Sequence, residues 1–116
     1  MGVVFKSSSL QSINIPSTVD EIGSGAFANC SSLRDAVLAD GLKKIESGAF
    51  SNCTSLENIS FPSTVREIEK YVFNNCSRLR EVVIHNEGLQ KIGRNAFEGC
   101  HSLERFTFPA ISYPFE

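Results

Sequence analysis

Four cysteines, Cys30, Cys53, Cys76 and Cys100, are the side chains best suited to chemistry in this sequence, and they lie 23, 23 and 24 positions apart. Thiols can bridge as disulfides or hold zinc. A tetrahedral zinc site gathers four ligands about one point, commonly through a Cys-x2-Cys pair, whereas this even spacing spreads thiols along a line. If the spacing marks successive coils, neighbouring cysteines fall within disulfide Cα distance, but side chains pointing in parallel into a core do not face one another for bridging. The expectation is four buried, reduced thiols acting as small apolar groups, with no metal and no cofactor; a bridged pair is the alternative. His85 and His101 are the only histidines, and neither is spaced with a cysteine or carboxylate pair, so both read as surface residues. Serines are plentiful, Ser7-Ser8-Ser9 among them, but a nucleophile needs a base oriented by a third group and a shaped pocket. No catalytic constellation emerges, and the chain is not expected to be an enzyme.

Asn29-Cys30-Ser31, Asn52-Cys53-Thr54, Asn75-Cys76-Ser77 and Asn58-Ile59-Ser60 fit the N-glycosylation acceptor pattern. Glycans on the first three would crowd one another, so these asparagines are expected instead to hydrogen-bond the backbone at a turn. Thirteen acidic against eleven basic residues leave a net charge of -2, which supplies no positive field for a phosphate backbone and argues against nucleic acid as a partner. The apolar runs are far shorter than the roughly 20 residues of a membrane span, and Met1 is not followed by a basic segment and an apolar h-region. Neither membrane insertion nor a signal peptide is expected from the residues present.

The elements that must position these residues follow from the repeat. Phe27, Phe50, Phe73 and Phe97 keep the cysteine spacing, as do Ile22, Ile45, Ile68 and Ile92, while Leu10, Leu33, Leu56, Leu79 and Leu103 mark each start. Counting from the leucine, apolar or small residues recur at +3, +5, +9, +12, +16, +17 and +20, enough inward positions to give each coil its share of a core. The alternation in Leu-x-x-Ile-x-Ile predicts a short strand, and Val-x-x-Ile a second, very short extended segment. Pro16, Pro62 and Pro109 end the strand in some units, whereas Asp40-Gly41 and Glu87-Gly88 turn the others, a weaker super-repeat of 46. The single extra residue lies between Ile84 and Leu89 and belongs in a turn. Ser24-Gly25-Ala26-Phe27-Ala28-Asn29-Cys30 and its equivalents suit one helical or 3₁₀ turn each. No coil can bury its apolar face alone, but stacked coils share a continuous core.

The Leu-x-x-Ile-x-Ile-Pro strand, the Val-x-x-Ile segment and Ala-Phe-x-x-Cys resemble the BspA-like class of leucine-rich repeats from Leu10 to Pro109. Thr18, Gly41 and Thr64 stand at +8, where the commoner leucine-rich pattern places Asn or Cys, and Val72 and Gly99 depart from the Ala and Asn of their columns. The expected fold is an α/β repeat solenoid: a right-handed leucine-rich-repeat coil stack with one short-stranded parallel sheet and short helical or 3₁₀ turns opposite. Its strands should begin near Ser12, Asp35, Asn58, Glu81 and Arg105. Residues 1–116 form one domain of about four full repeats, with 1–9 a partial coil and 110–116 an end segment. The resemblance implies a non-enzymatic protein-interaction or adhesion module, a binding segment of a larger repeat protein at the cell surface or secreted. It carries over no catalytic residue.

The sheet's outward positions are the partner-binding candidates: Asp35, Val37, Asn58, Ser60, Glu81, Val83 and Arg105. Tyr or Trp anchors, common at hot spots, are missing from this set, so a plain solvated face competes with the binding reading. Two further columns alternate in sign, Glu21, Lys44, Glu67, Lys91 and Arg34, Glu57, Arg80, Glu104, and are expected to stabilise coil-to-coil stacking. At the ends, Val3-Val4-Phe5 resembles a degraded coil, while Phe106, Phe108, Ile111, Tyr113 and Phe115 cluster after the last leucine. Such ends either cap the stack or pack on further repeats or another subunit. The second functional reading is accordingly a small structural subunit held by its ends in a multi-protein assembly.

Overall fold

Each unit of the chain makes two extended pieces and two reversals, and the computed structural model describes these for residues 9–84 and 88–107. Nine strands occur among the described residues: β1 (Ser12–Ile15), β2 (Glu21–Ile22), β3 (Asp35–Leu38), β4 (Lys44–Ile45), β5 (Asn58–Ser60), β6 (Glu67–Ile68), β7 (Glu81–Val83), β8 (Lys91–Ile92) and β9 (Arg105–Thr107). The five longer strands begin at the residues the repeat indicates. They form a parallel sheet in the order β1-β3-β5-β7-β9, with registers that pair equivalent positions, such as Ser12 with Asp35 and Asn58 with Glu81.

The expectation of a single sheet requires correction. The short Val-x-x-Ile segments also pair, as a second parallel sheet in the order β2-β4-β6-β8. Two residues suffice because flanking amides extend the ladder: the Lys43 N–H donates to the Asp20 carbonyl at 2.8 Å and the Glu46 N–H to that of Ile22 at 2.9 Å.

The helical or 3₁₀ turns do not form, and hydrogen bonding explains why. A 3₁₀ helix needs consecutive amides to bond three residues back. Here only alternate amides do so: Ala26, Ala28 and Cys30 donate to Gly23, Gly25 and Phe27. The amides between them, of Gly25, Phe27 and Asn29, donate to Ser47, Ala49 and Ser51 of the next coil. Gly25 and Asn29 moreover have φ of 64° and 65°, a left-handed conformation that interrupts any right-handed helix. The architecture is therefore a parallel β-solenoid whose remaining side is a stack of turns, not an α/β arrangement.

Side chains at equivalent positions fill the interior in columns. Leu33, Leu56 and Leu79 are fully buried, as are Ile45, Ile68, Phe50 and Phe73. The phenylalanine rings stack face to face, with centroids 5.3 Å apart for Phe27 and Phe50, 5.5 Å for Phe50 and Phe73 and 5.4 Å for Phe73 and Phe97. Burial declines in the outer coils, where Leu10, Ile13, Phe97, Cys100 and Leu103 are only partly covered. The two turn types interlock: the Thr64 hydroxyl accepts from the Gly41 N–H at 3.1 Å and donates to the Leu42 carbonyl at 2.6 Å. A Pro-Ser-Thr turn thereby fastens the Asp-Gly turn before it. The one-residue insertion falls around residues 85–87, outside the described residues, and so do His85 and the aromatic residues 108, 113 and 115.

Candidate functional site

The five-stranded sheet turns one side chain in two outward. Asp35, Asn58, Glu81 and Arg105 lie in register across β3, β5, β7 and β9, and Val37, Ser60 and Val83 do so one alternation further along. Asp35, Val37, Asn58, Ser60 and Arg105 are exposed, whereas Glu81 and Val83 are half-buried. Val37 stands out as an apolar side chain left 58% accessible. All seven candidate positions thus lie on one surface.

Two flanking residues whose alternation in sign points only to coil stacking also belong there. A shallow cavity of about 230 Å³ is lined by Asn58, Arg80, Glu81, Glu104 and Arg105. Arg80 pairs with Glu104 at 3.7 Å, and Arg105 with Glu81 at 3.9 Å. Alternation of period 2 assigns residue +1 to neither face of the strand, because the strand starts one position later. Arg80 and Glu104 nonetheless line the cavity, and no local pattern signals that. Ion pairs this long and this accessible leave both guanidinium groups able to take other acceptors.

On the four-stranded sheet the alternating column is present but richer than its sequence suggests. Lys44 lies 3.9 Å from Glu67, as the register requires, and also 3.6 Å from Glu46 and 3.9 Å from Glu69. Lys91 takes Glu69 at 3.1 Å. Burial by itself would raise the Glu69 carboxyl, but the bond from Lys91, with Glu67 and Lys44 nearby, holds it below the usual range. Glu46 moves the other way, raised by burial and by its contact with Glu21 despite Lys44. In the other column Arg34 and Glu57 pair at 3.7 Å.

The cysteines sit where they can react least. Cys30, Cys53 and Cys76 are buried, while Cys100, in the outer coil, is only partly so. Three of the thiols donate to a carbonyl in the preceding coil: Cys53 to Phe27 at 3.1 Å, Cys76 to Phe50 at 3.2 Å and Cys100 to Phe73 at 3.2 Å. Burial pushes the Cys53 thiol up to about 12, with Cys30 adding to the shift, and the Cys100 thiol up to about 11. Burial raises Cys76 as well, reinforced by the thiols of Cys53 and Cys100. Thiolate chemistry at neutral pH is thereby suppressed.

The asparagines depart from the expected side-chain-to-backbone bonds. Asn29, Asn52 and Asn75 are left-handed, at φ 65°, 62° and 62°, and their amides bond one another. The Nδ2 of Asn52 donates to Oδ1 of Asn29 at 3.0 Å, and that of Asn75 to Oδ1 of Asn52 at 3.1 Å. Left-handed backbone turns these side chains along the stack, toward the next coil rather than toward their own turn. It also accounts for Gly99 at the fourth place, with φ of 81°. His101 is exposed, in the turn that follows Cys100, and stands outside the seven-residue array.

A family description of the BspA type leucine rich repeat region matches residues 3–114 in 6 copies. Among solved structures, a leucine rich cell surface protein of Faecalibacterium prausnitzii aligns over 89% of this chain and 27% of its own, with 30% identity and a TM-score of 0.81. A leucine-rich repeat protein of Bacteroides ovatus aligns over 85% of this chain and 25% of its own, with 37% identity and a TM-score of 0.77. The leucine rich repeat protein of T. pallidum aligns over 87% of this chain and 49% of its own, with 31% identity and a TM-score of 0.79. The chain thus spans less than half the length of each of these proteins. No curated protein matches the sequence.

Proposed function

The chain belongs to the BspA-type leucine-rich repeat family, and from that premise we propose that it is a non-enzymatic protein-interaction or adhesion module whose recognition surface is the five-stranded sheet. The observation that carries this reading is the in-register array of Asp35, Asn58, Glu81 and Arg105 beside Val37, Ser60 and Val83. Such a surface offers a partner many small polar and charged contacts of fixed spacing on a rigid support, with one exposed apolar side chain at Val37. The cavity at its end, lined by two loosely paired arginines and two glutamates, adds groups that can exchange internal partners for external ones.

Similarity to a cell surface protein supports a role at the cell surface, and the partial coverage of the longer relatives supports a binding segment within a larger repeat protein. No helix among the described residues is long and apolar enough to cross a membrane. Enzymatic activity has no support from a family and fold whose interior is filled by its own side chains.

Affinity capture tests the reading, using wild type beside a variant with Asp35, Glu81 and Arg105 replaced by Ala and another with Tyr113 and Phe115 replaced, each confirmed as folded. A partner lost only from the first variant is the expected result. Loss only from the second would move recognition to the ends, and turnover of a substrate by a wild type that captures no protein would overturn the interaction reading.

A further inference from the structure

From the coil that starts at Leu33 onward, beyond the neutral Gln11 and Ser12 of the first coil, two adjoining columns on the recognition surface follow a charge rule with one exception. The first reads Arg34, Glu57, Arg80, Glu104 and the second Asp35, Asn58, Glu81, Arg105. Arg34 and Asp35, Arg80 and Glu81, and Glu104 and Arg105 each oppose one another along the chain. Successive coils oppose one another too, as the Arg34–Glu57 pair at 3.7 Å, the Arg80–Glu104 pair at 3.7 Å and the Arg105–Glu81 pair at 3.9 Å show. A checkerboard of charge results, and its rule demands a positive group at position 58. Asn58 stands there instead, exposed, with Asp35 and Glu81 as its register partners on either side.

The vacancy has the features of a binding position rather than of a neutral one. Asp35 and Asn58 take part in no side-chain hydrogen bond or ion pair among the described residues. Strands lie about 4.8 Å apart, so a cation above Asn58 would sit within about 5 Å of the Asp35 and Glu81 positions on the two neighbouring strands at once. The Asn58 amide oxygen can accept a hydrogen bond from that cation while its NH2 stays available to a neighbouring carbonyl. Asn58 also borders the 230 Å³ cavity, whose other lining residues are the carboxylates Glu81 and Glu104 with their partners Arg105 and Arg80, and which leaves room for a flat guanidinium or an ammonium on a long stem. A lysine or arginine encoded at 58 would close the pattern internally; asparagine leaves it to be closed from outside.

We propose that position 58 seats a lysine or arginine side chain from an extended segment of the protein partner, which supplies the positive charge that the coil pattern omits. This rests on the sheet being the recognition surface. Charge complementarity of this kind fixes the register of a partner along the sheet more than it adds raw affinity.

The test uses the whole chain and a defined probe. Backbone amide shifts are followed by NMR while the protein is titrated with N-acetyl-arginine amide, and separately with its neutral isostere N-acetyl-citrulline amide. The expected result is a saturable response to the arginine probe centred on residues 35, 58 and 81, with none from citrulline. Asn58→Lys should weaken the arginine response about tenfold or more by putting like charge in the seat. The same variant should melt higher than wild type at low salt, which confirms that it is folded and that the position accepts a cation. A response spread evenly over Glu46, Glu67 and Glu69, an equal response to citrulline, no saturable response at position 58, or one unaffected by Asn58→Lys would overturn the assignment. If the captured partner is lost with the triple alanine variant yet kept by Asn58→Lys, the sheet reading stands and the seat at 58 fails. If the triple variant captures normally, the sheet reading itself fails.

Discussion

Tyr71 occupies a position where the equivalent residues are Gly25, Gly48 and Asn95, and it shares their left-handed backbone, at φ 63°. A tyrosine pays for that conformation with a steric penalty of about 1 kcal/mol, and this one, 39% accessible, offsets it with the larger part of its surface that the fold covers. Tyr71→Gly relieves the strain but gives up that covered surface and frees the unfolded chain, so it should lower the unfolding free energy by about 0.5–1 kcal/mol, measured by urea titration. The cysteines carry a second expectation at this scale. All four should remain unmodified by alkylating reagent in the native state at neutral pH and react after denaturation, as intact mass would show; a bridged pair would refute the reduced assignment. Because the Cys53 and Cys100 thiols are raised to about 12 and about 11 in the folded chain, against an ordinary value of 9.0, the folded state holds its protons where the unfolded state loses them. Their contribution to stability is thus fully present below about pH 9 and is lost as pH rises through about 11 and 12. The cysteine column was legible because its spacing is regular. The thiol-to-carbonyl bonds were not, since they join residues 26 or 27 apart through a turn whose backbone no local pattern describes.

Glu67 sits between Lys44 and Lys91 in the register of the shorter sheet. Glu67→Lys would place three positive groups in a row and should cost about 0.5–1 kcal/mol at low salt, with most of the difference gone at about 1 M salt. An equal loss at both salt concentrations would point to packing. Strand positions themselves were readable from period-2 alternation, and every long strand began where Ser12, Asp35, Asn58, Glu81 and Arg105 indicated. The second sheet was not, because two residues carry no periodicity and pair only when coil stacking supplies the partner. The same reason hid Glu46 and Glu69: the sign alternation of the neighbouring column drew attention, while these two carboxylates converge on Lys44 only in three dimensions. Gly93 shows how closely two coils approach at this sheet. A Cβ there would collide with the backbone of Glu69 and Lys70. Gly93→Ala should destabilise by about 2–3 kcal/mol, read from the denaturation midpoint, since backbone cannot step aside as a side-chain tip can.

Among the described strands, contacts join each coil only to its neighbours, so stability is close to a sum of coil and junction contributions. The interior coils are sealed on both sides: Ile45, Ile68, Leu56 and Cys76 have no accessible surface. In the outer described strand, by contrast, Phe106 is 40% accessible and rests edge-on against Phe97, with ring centroids 4.9 Å apart. Hydrogen exchange should follow that gradient, slowest at Ile45 and Ile68 and fastest in β9, with intermediate rates in β1. Uniform exchange throughout would mean that the stack opens as a single unit. Repeat period and solenoid class were open to reading because a column of like residues imposes the same demand in each coil; the turn stack misled because Ala-Phe-x-x-Cys has the spacing of a helical turn. Those turns have a mechanical consequence. Their alternate amides, like the strand ladders, point from coil to coil, so traction applied between the two ends of the stack pulls along the hydrogen bonds and loads the junctions in series. The weakest junction then yields first and releases its coil as slack of roughly 75–80 Å, at about 3.3–3.6 Å per extended residue, before the next is strained. A stack built this way would give way to a sudden pull in steps, while the coils behind the rupture stay folded.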